Sequence, residues 1–267
     1  MQASGGPIAI ASAPRFRRLH LDTVGSTNIN AFEAARGGDA GDLWITASMQ
    51  EQGRGRRGRA WVSERGNLYA SLLLIDPGPR EKLGELPMVC AVALADAVEA
   101  ATGSHGLVRL KWPNDLLVDD AKISGILLES ETLGDGRCAV VCGFGVNCAH
   151  HPDPENYRAT DLTELGFLIP PDHLFDRLAS AMRARLAQWS KGAGFGAIRE
   201  SWIARAARLG EHVTIRLGDT TYEGIFRTID EDGRLVLTQG DGSERRISAG
   251  DLFFPTAKKI SAERANT

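Results

Sequence analysis

Along the chain, apolar positions first group as Ile29, Ala31, Phe32 and Ala35, behind the polar run Ser26-Thr27-Asn28 and ahead of Gly37-Gly38. A polar N-cap, helical spacing and a glycine stop predict a short helix. Residues 43–49 and 68–75 carry β-branched and aliphatic runs bounded by turn residues and predict strands. Residues 83–102 are almost uncharged through their middle, which predicts a largely buried helix stopped at Gly103. Four strand candidates follow, at 108–111, 115–118, 121–131 and 138–146, punctuated by Asp119-Asp120 and by Gly134-Asp135-Gly136. A proline-rich connector spans 150–171, and helices are predicted at 174–190 and 195–209, the first amphipathic through Leu174, Leu178, Met182 and Leu186.

After Gly210 the texture changes. Short alternating strands at 213–217, 221–229, 235–238 and 244–247 are separated by Gly218-Asp219, Asp232-Gly233 and Gly240-Asp241-Gly242. Hairpins at this spacing predict a small barrel. The expected architecture is an antiparallel-rich α/β domain to about residue 208 followed by that barrel. A chain of 267 residues with 43% hydrophobic content can fill such a core, and 24% charged residues exclude a disordered class. No run reaches the ~20 apolar residues of a membrane-spanning helix. The apolar patch 7–14 lacks a preceding basic residue and makes a poor secretory signal, so the reading is a frayed N-terminus on a cytoplasmic protein.

A net charge of −3 leaves room only for local basic function. Cys90, Cys138, Cys142 and Cys148 lie in apolar stretches and read as buried thiols. A zinc set of Cys138, Cys142, Cys148 and His150 is conceivable but has no paired C-x-x-C.

Four segments carry candidate chemistry. Gly53-Arg54-Gly55-Arg56-Arg57-Gly58-Arg59 satisfies G-x-G-x-x-G literally, yet Ala60-Trp61-Val62 and a strand follow where a dinucleotide fold needs a helix. Its guanidinium forks and exposed backbone N–H groups suit a phosphate or carboxylate, or equally a nucleic acid. Lys111-Trp112-Pro113-Asn114-Asp115 presents Asn114 and Asp115 between two strands, and is otherwise an ordinary Asn-Asp turn. Lys122-Ile123-Ser124-Gly125-Ile126-Leu127-Leu128-Glu129 places a lysine ahead of an apolar strand, the position of an edge gatekeeper, but Gly125 admits a close ligand. Gly143-Phe144-Gly145-Val146-Asn147 ends a strand with two such glycines.

In this order, with Ser26-Thr27-Asn28, Gln50 and Ala159-Thr160, these segments resemble the biotin–protein ligases, from about His20 to Phe254. Glu51 stands where the family pattern has a neutral residue. The resemblance implies a class II aminoacyl-tRNA-synthetase-like α/β catalytic domain over 19–208 and an SH3-like barrel over 209–256. Residues 1–18 would be a flexible N-terminus and 257–267 a tail. It implies that biotin and ATP, with Mg²⁺, give biotinyl-5′-AMP, and that a lysine of a biotin carboxyl carrier protein then takes the biotinyl group.

By position in the motifs, Ser26, Thr27, Asn28, Gln50, Gly53, Arg54, Gly55, Arg56, Lys122, Gly125, Gly143 and Gly145 would bind biotin. Arg56, Arg57, Trp61, Lys111, Asn114, Asn147 and Ala159 would bind the nucleotide. Lys122, Arg54 and Arg56 would stabilise the reacting oxygens, with Asp115 beside the incoming lysine. No tightly held protein metal and no membrane are expected, and no DNA, the last because too few residues precede the first matching strand for a helix-turn-helix module. A homodimer stays open. Lipoate ligases and octanoyltransferases share the implied fold, and an RNA-binding module is the rival from another class; it predicts steep salt dependence.

Overall fold

The computed structural model describes residues 16–155, 157–248 and 250–253. The apolar patch 7–14 and the tail 257–267 lie outside them. Strands β1 (Arg17–Val24), β2 (Leu43–Gln50), β3 (Leu68–Ile75), β4 (Arg109–Lys111), β5 (Asp115–Val118), β6 (Ala121–Thr132) and β7 (Cys138–Val146) form a seven-stranded sheet in the order β1-β2-β3-β7-β6-β5-β4. Helix α1 (Thr27–Arg36) crosses between β1 and β2, which pair in parallel; all other neighbours are antiparallel. Turns dictate this: Asp119 and Asp120 both take positive φ, the conformation a two-residue hairpin needs.

The period-2 alternation sorts each strand's side chains to two faces. Trp44, Leu72, Leu74, Val140 and Cys142 join the cluster around α2 (Leu86–Thr102), whose side chains are buried almost all round. The intervening residues Ile45, Leu73, Ala139 and Val141 join Ala31, Phe32 and Ala35 of α1. Helices α3 (Pro171–Trp189) and α4 (Phe195–Ile203) close the α2 side. Buried charges there are paired: Trp189 Nε1 donates to Glu85 at 2.6 Å, and Arg205 joins Asp96 at 3.0 Å and Glu99 at 3.2 Å.

Two expected helices are shorter than the pattern suggested. Residues 80–85 form a 3-10 turn, and α2 begins where Pro87 occupies its first turn. The helix predicted over 195–209 stops at Ile203, because Arg205 and Ala207 give their backbone groups to Leu110 on the sheet edge. Strands β8 (His212–Leu217), β9 (Thr220–Ile229), β10 (Leu235–Thr238), β11 (Glu244–Ile247) and β12 (Asp251–Phe253) make a second, wholly antiparallel sheet, ordered β11-β10-β9-β8-β12. Strands β1 and β12 go beyond the elements predicted from the pattern. Among the described residues, no helix is long and apolar enough to cross a membrane.

Candidate active site

On the α1 face of β7 the side chains run Ala139, Val141, Gly143, Gly145, so apolar cover gives way to bare backbone toward the strand end. Gly125 of β6 lies directly across from Gly145, and Ser71 of β3 across from Gly143. The glycines therefore floor a narrow slot at the N-terminal end of α1, closed over by Asn28 and Trp61. Its walls are close: a Cβ on Gly143 would stand 2.3 Å from Asn28 Oδ1, and one on Gly145 2.5 Å from Trp61 Nε1. Only glycine fits there.

One side of the slot is a buried polar network. Ser26, Thr27 and Asn28 are each 4% exposed at the start of α1. The Thr27 N–H and hydroxyl donate to Gln50 Oε1 at 2.8 and 3.0 Å, and Gln50 Nε2 donates to Ser63 Oγ at 3.0 Å. Ser71 Oγ lies 2.7 Å from Thr27 Oγ1 and 2.6 Å from Asn28 Oδ1, while Asn28 Nδ2 donates to Glu129 at 2.8 Å. Although Ser26 occupies the N-cap position of α1, its side chain makes no capping bond. These amides and hydroxyls present donors and acceptors in fixed orientations.

The arginine-glycine segment is a closed hairpin and not a loose polycation. Gly55 N–H donates to Arg59 O at 2.7 Å, Trp61 N–H to Gly53 O at 2.9 Å, and Arg54 bridges Ala60. Gly53 is walled in, with Ser63 Oγ 2.3 Å and Trp61 O 2.4 Å from where a Cβ would lie. Strand β3 follows, with only the 3-10 turn Arg56–Gly58 between, so the dinucleotide pattern is indeed not a Rossmann turn. Its guanidiniums point different ways. Arg54 meets Glu129 at 3.6 Å. Arg56 donates to Asn114 Oδ1 at 3.0 Å and to Gly250 O at 3.1 Å, and burial lowers its pKa. Asp251, on β12, accepts from Arg57 at 3.0 Å and from Arg59, and lies 3.8 Å from Arg56. The second sheet thus reaches into the site.

Across the slot, Lys122 Nζ lies 2.7 Å from Asp115 Oδ1 and 5.5 Å from the centre of the Trp61 ring. Trp61, Lys122, Asn147 and Ala159 line a cavity of about 180 Å³ with Pro152, Pro154 and Tyr157. Lys111 is held nearby; burial pushes its pKa down, against the pull of Asp115. A second cavity of about 360 Å³ opens between α1 and β6, lined by Ile29, Phe32, Arg36, Arg54, Glu129 and Glu131.

The sequence profile of the biotin/lipoate A/B protein ligase family matches residues 30–147, and that of the biotin protein ligase C-terminal domain matches 209–254. A biotin–[acetyl-CoA-carboxylase] ligase of Paracoccus denitrificans is 41% identical over 240 residues, covering 88% of this chain and 99% of the relative. The chain belongs to the biotin protein ligase family. The Mycobacterium tuberculosis biotin–[acetyl-CoA-carboxylase] ligase is 33% identical, covering 87% of this chain and 88% of its own length. The biotin protein ligase of Aquifex aeolicus, solved with biotin and ATP, superposes with a TM-score of 0.74 at 28% identity, over 89% of this chain and 97% of that one.

Most of the residues singled out from sequence lie around the glycine floor and the two neighbouring cavities, whereas Arg57 is taken up by Asp251. Asn147 is 3% exposed, and its amide donates to Thr160 O at 3.0 Å, so it braces the connector as well as lining the cavity. Arg57 and Arg59 are turned to Asp251, and Glu51 is exposed beside the hairpin. Sequence reasoning gave no role to Ser63, Ser71 or Asp251. Ser71 could have been found as a hydroxyl inside an otherwise apolar strand. Asp251 lies on a different sheet, and nothing local marks it. The imagined zinc set does not assemble: all four cysteines are buried, and the described residues that bring three metal-type donors together are instead His151, Asp161 and Glu164.

Proposed function

We propose that the protein is an ATP-dependent ligase that activates biotin as biotinyl-5′-AMP and passes it to a lysine of a biotin carboxyl carrier protein. The observation that carries this reading is the junction of two unlike surfaces. A glycine-floored slot walled by oriented amides and hydroxyls meets a cation, Lys122, beside an aromatic-lined cavity. The slot suits a compact bicycle with an apolar thioether ring and a planar, polar urea edge, the latter read by Thr27, Asn28, Gln50 and Ser26. The cavity suits an adenine stacked on Trp61.

In the first half-reaction a biotin carboxylate oxygen attacks the α-phosphorus of ATP and pyrophosphate leaves. Two anions approach, so developing charge must be met by cations in a partly dry site. Lys122 is suited to bridge the carboxylate and the α-phosphate, with Arg54 and Arg56 on the hairpin side. No carboxylate lines the cavity itself among the described residues, and Asp115 lies next to it, paired with Lys122; Mg²⁺ would come to the site on the ATP phosphates and supply charge neutralisation there. In the second half-reaction the acceptor amine attacks the biotinyl carbonyl, an amide forms, and AMP departs with release of one proton. Asp115 is suited to orient that amine, and its pairing with Lys122 would loosen as the amine arrives.

Within this reading the catalytic domain is of the class II aminoacyl-tRNA-synthetase-like type and the second sheet is an SH3-like barrel. The arginines are engaged by Asp251, Glu129 and Asn114, which disfavours the RNA-binding alternative. Exchange of labelled pyrophosphate into ATP tests the assignment. It should depend on biotin and stay at background with lipoate or octanoate; exchange driven by lipoate would move the protein to the lipoate branch.

A further inference from the structure

The connector beyond β7 enters and leaves the nucleotide cavity as two neighbouring legs. The entry leg is fixed by Asn67, whose side chain accepts from the N–H of Cys148 at 2.8 Å and Ala149 at 3.0 Å and donates to His150 O at 2.9 Å. The exit leg is fixed to Lys122, whose N–H donates to Arg158 O at 2.8 Å and whose carbonyl accepts from Thr160 N at 3.1 Å. Pro152 on the entry leg and Ala159 on the exit leg both line the cavity with Trp61 and Lys122. The distance between the legs therefore sets the cavity's width.

A side-chain bond joins the legs at this level. His151 Nδ1 lies 2.7 Å from Asp161 Oδ2, next in sequence to Pro152 on one side and two residues from Ala159 on the other. Asp161 is 4% exposed, and its other oxygen accepts from Glu164 N–H at 2.7 Å. Glu164 accepts in turn from Thr160 Oγ1 at 2.6 Å and stands 3.8 Å from His151 Nε2. A buried carboxylate needs all its acceptor positions met, which fixes the His151 ring and with it the leg that carries Pro152.

We propose that His151 is a positioning residue for ATP: through Asp161 it holds the two connector legs at the spacing the nucleotide requires. The proposal rests on the reading that this cavity takes the nucleotide. The hydrogen bonds and ion pairs of His151 among the described residues are to Asp161 and Glu164 and to no residue of the biotin slot, so its loss should fall first on ATP. A bond kept merely for stability would change melting temperature without separating the two substrates.

The experiment measures steady-state biotinylation of a carrier domain by the full chain, varying ATP and biotin separately. His151→Ala should raise KM for ATP about tenfold, in keeping with loss of a hydrogen bond to a charged group. KM for biotin at saturating ATP should move less than about twofold. His151→Asn, whose Nδ2 can replace the Nδ1 donor, should recover most of the ATP affinity. Trp61→Ala in the same assay reports on the cavity itself. If Trp61→Ala raises KM for ATP and His151→Ala does not, the cavity assignment survives and the positioning role is overturned. If neither does, the cavity is not the nucleotide site and the proposal falls with it. Equal rises for both substrates, or an Asn variant as impaired as the Ala variant, also overturn it.

Discussion

Lys122 has three partners that define its work: Asp115 at 2.7 Å, the Trp61 ring at 5.5 Å and the Tyr157 ring at 5.6 Å. The carboxylate holds the ammonium in place until anionic substrates compete for it. Lys122→Ala should slow adenylation by roughly 100- to 1,000-fold, the scale of one lost oxyanion donor. Biotin-dependent pyrophosphate release checks this, and release at the wild-type rate would remove Lys122 from the reacting centre. Gly143 tests the opposite wall. Gly143→Ala places a methyl 2.3 Å from Asn28 Oδ1, so Asn28 must leave Ser71 and Glu129. Calorimetry should show biotin affinity falling at least about tenfold while ATP binding is nearly kept, given buried partners left unsatisfied. At this scale the strand pattern singled out Lys122 and the slot glycines as a lone cation and missing side chains, whereas Gln50 and Asn114 acquired a role only through the family resemblance. The hydrogen-bond directions were not, since they depend on which strands become neighbours.

Among the elements, the arginine hairpin shows what pattern reading cannot supply. Seven residues of arginine and glycine suggest mobility, yet the hairpin's own backbone bonds and Asp251 hold it. One carboxylate serves guanidiniums from Arg56, Arg57 and Arg59, and it is contributed by β12, a strand of three residues with no alternation long enough to predict. Asp251→Ala should loosen the hairpin, lower adenylation about three- to tenfold, and let free adenylate escape, consistent with partly exposed pairs acting as a network. Blotting a bystander lysine-rich protein for biotin detects the escape; an Asp251→Ala variant that labels only the carrier domain would show that the hairpin is held by its own backbone. The helix predicted over 195–209 failed for a related reason. Its sequence is helical, but a tertiary partner at Leu110 takes the backbone groups of residues 205 and 207.

For the whole molecule, the sheet sorts its labour by face: one side is sealed by α2 and α3, the other carries α1 and then the bare slot. The thiols lie with the sealed core. Burial pushes Cys148 from 9.0 to about 12 and raises Cys90 as well. The native protein therefore keeps these protons where the unfolded chain would lose them, so their contribution to stability is full below pH 9.0 and fades as pH climbs toward 12. Native protein at pH 8 should resist alkylation of all four cysteines, and rapid labelling by iodoacetamide would contradict their burial. The alternating pattern made most strands and hairpins of both sheets legible, β1 and β12 excepted, whereas the join between the sheets rests on single charged contacts that no periodicity encodes. The central claim is that this one slot makes and keeps an acyl adenylate until a carrier lysine arrives. Native mass spectrometry of the protein after incubation with biotin and ATP tests it most directly. The protein should retain a mass equal to biotinyl-5′-AMP, discharged on adding a carrier domain that gains one biotinyl group on one lysine. A protein that retains no adenylate and leaves the carrier unmodified would contradict it.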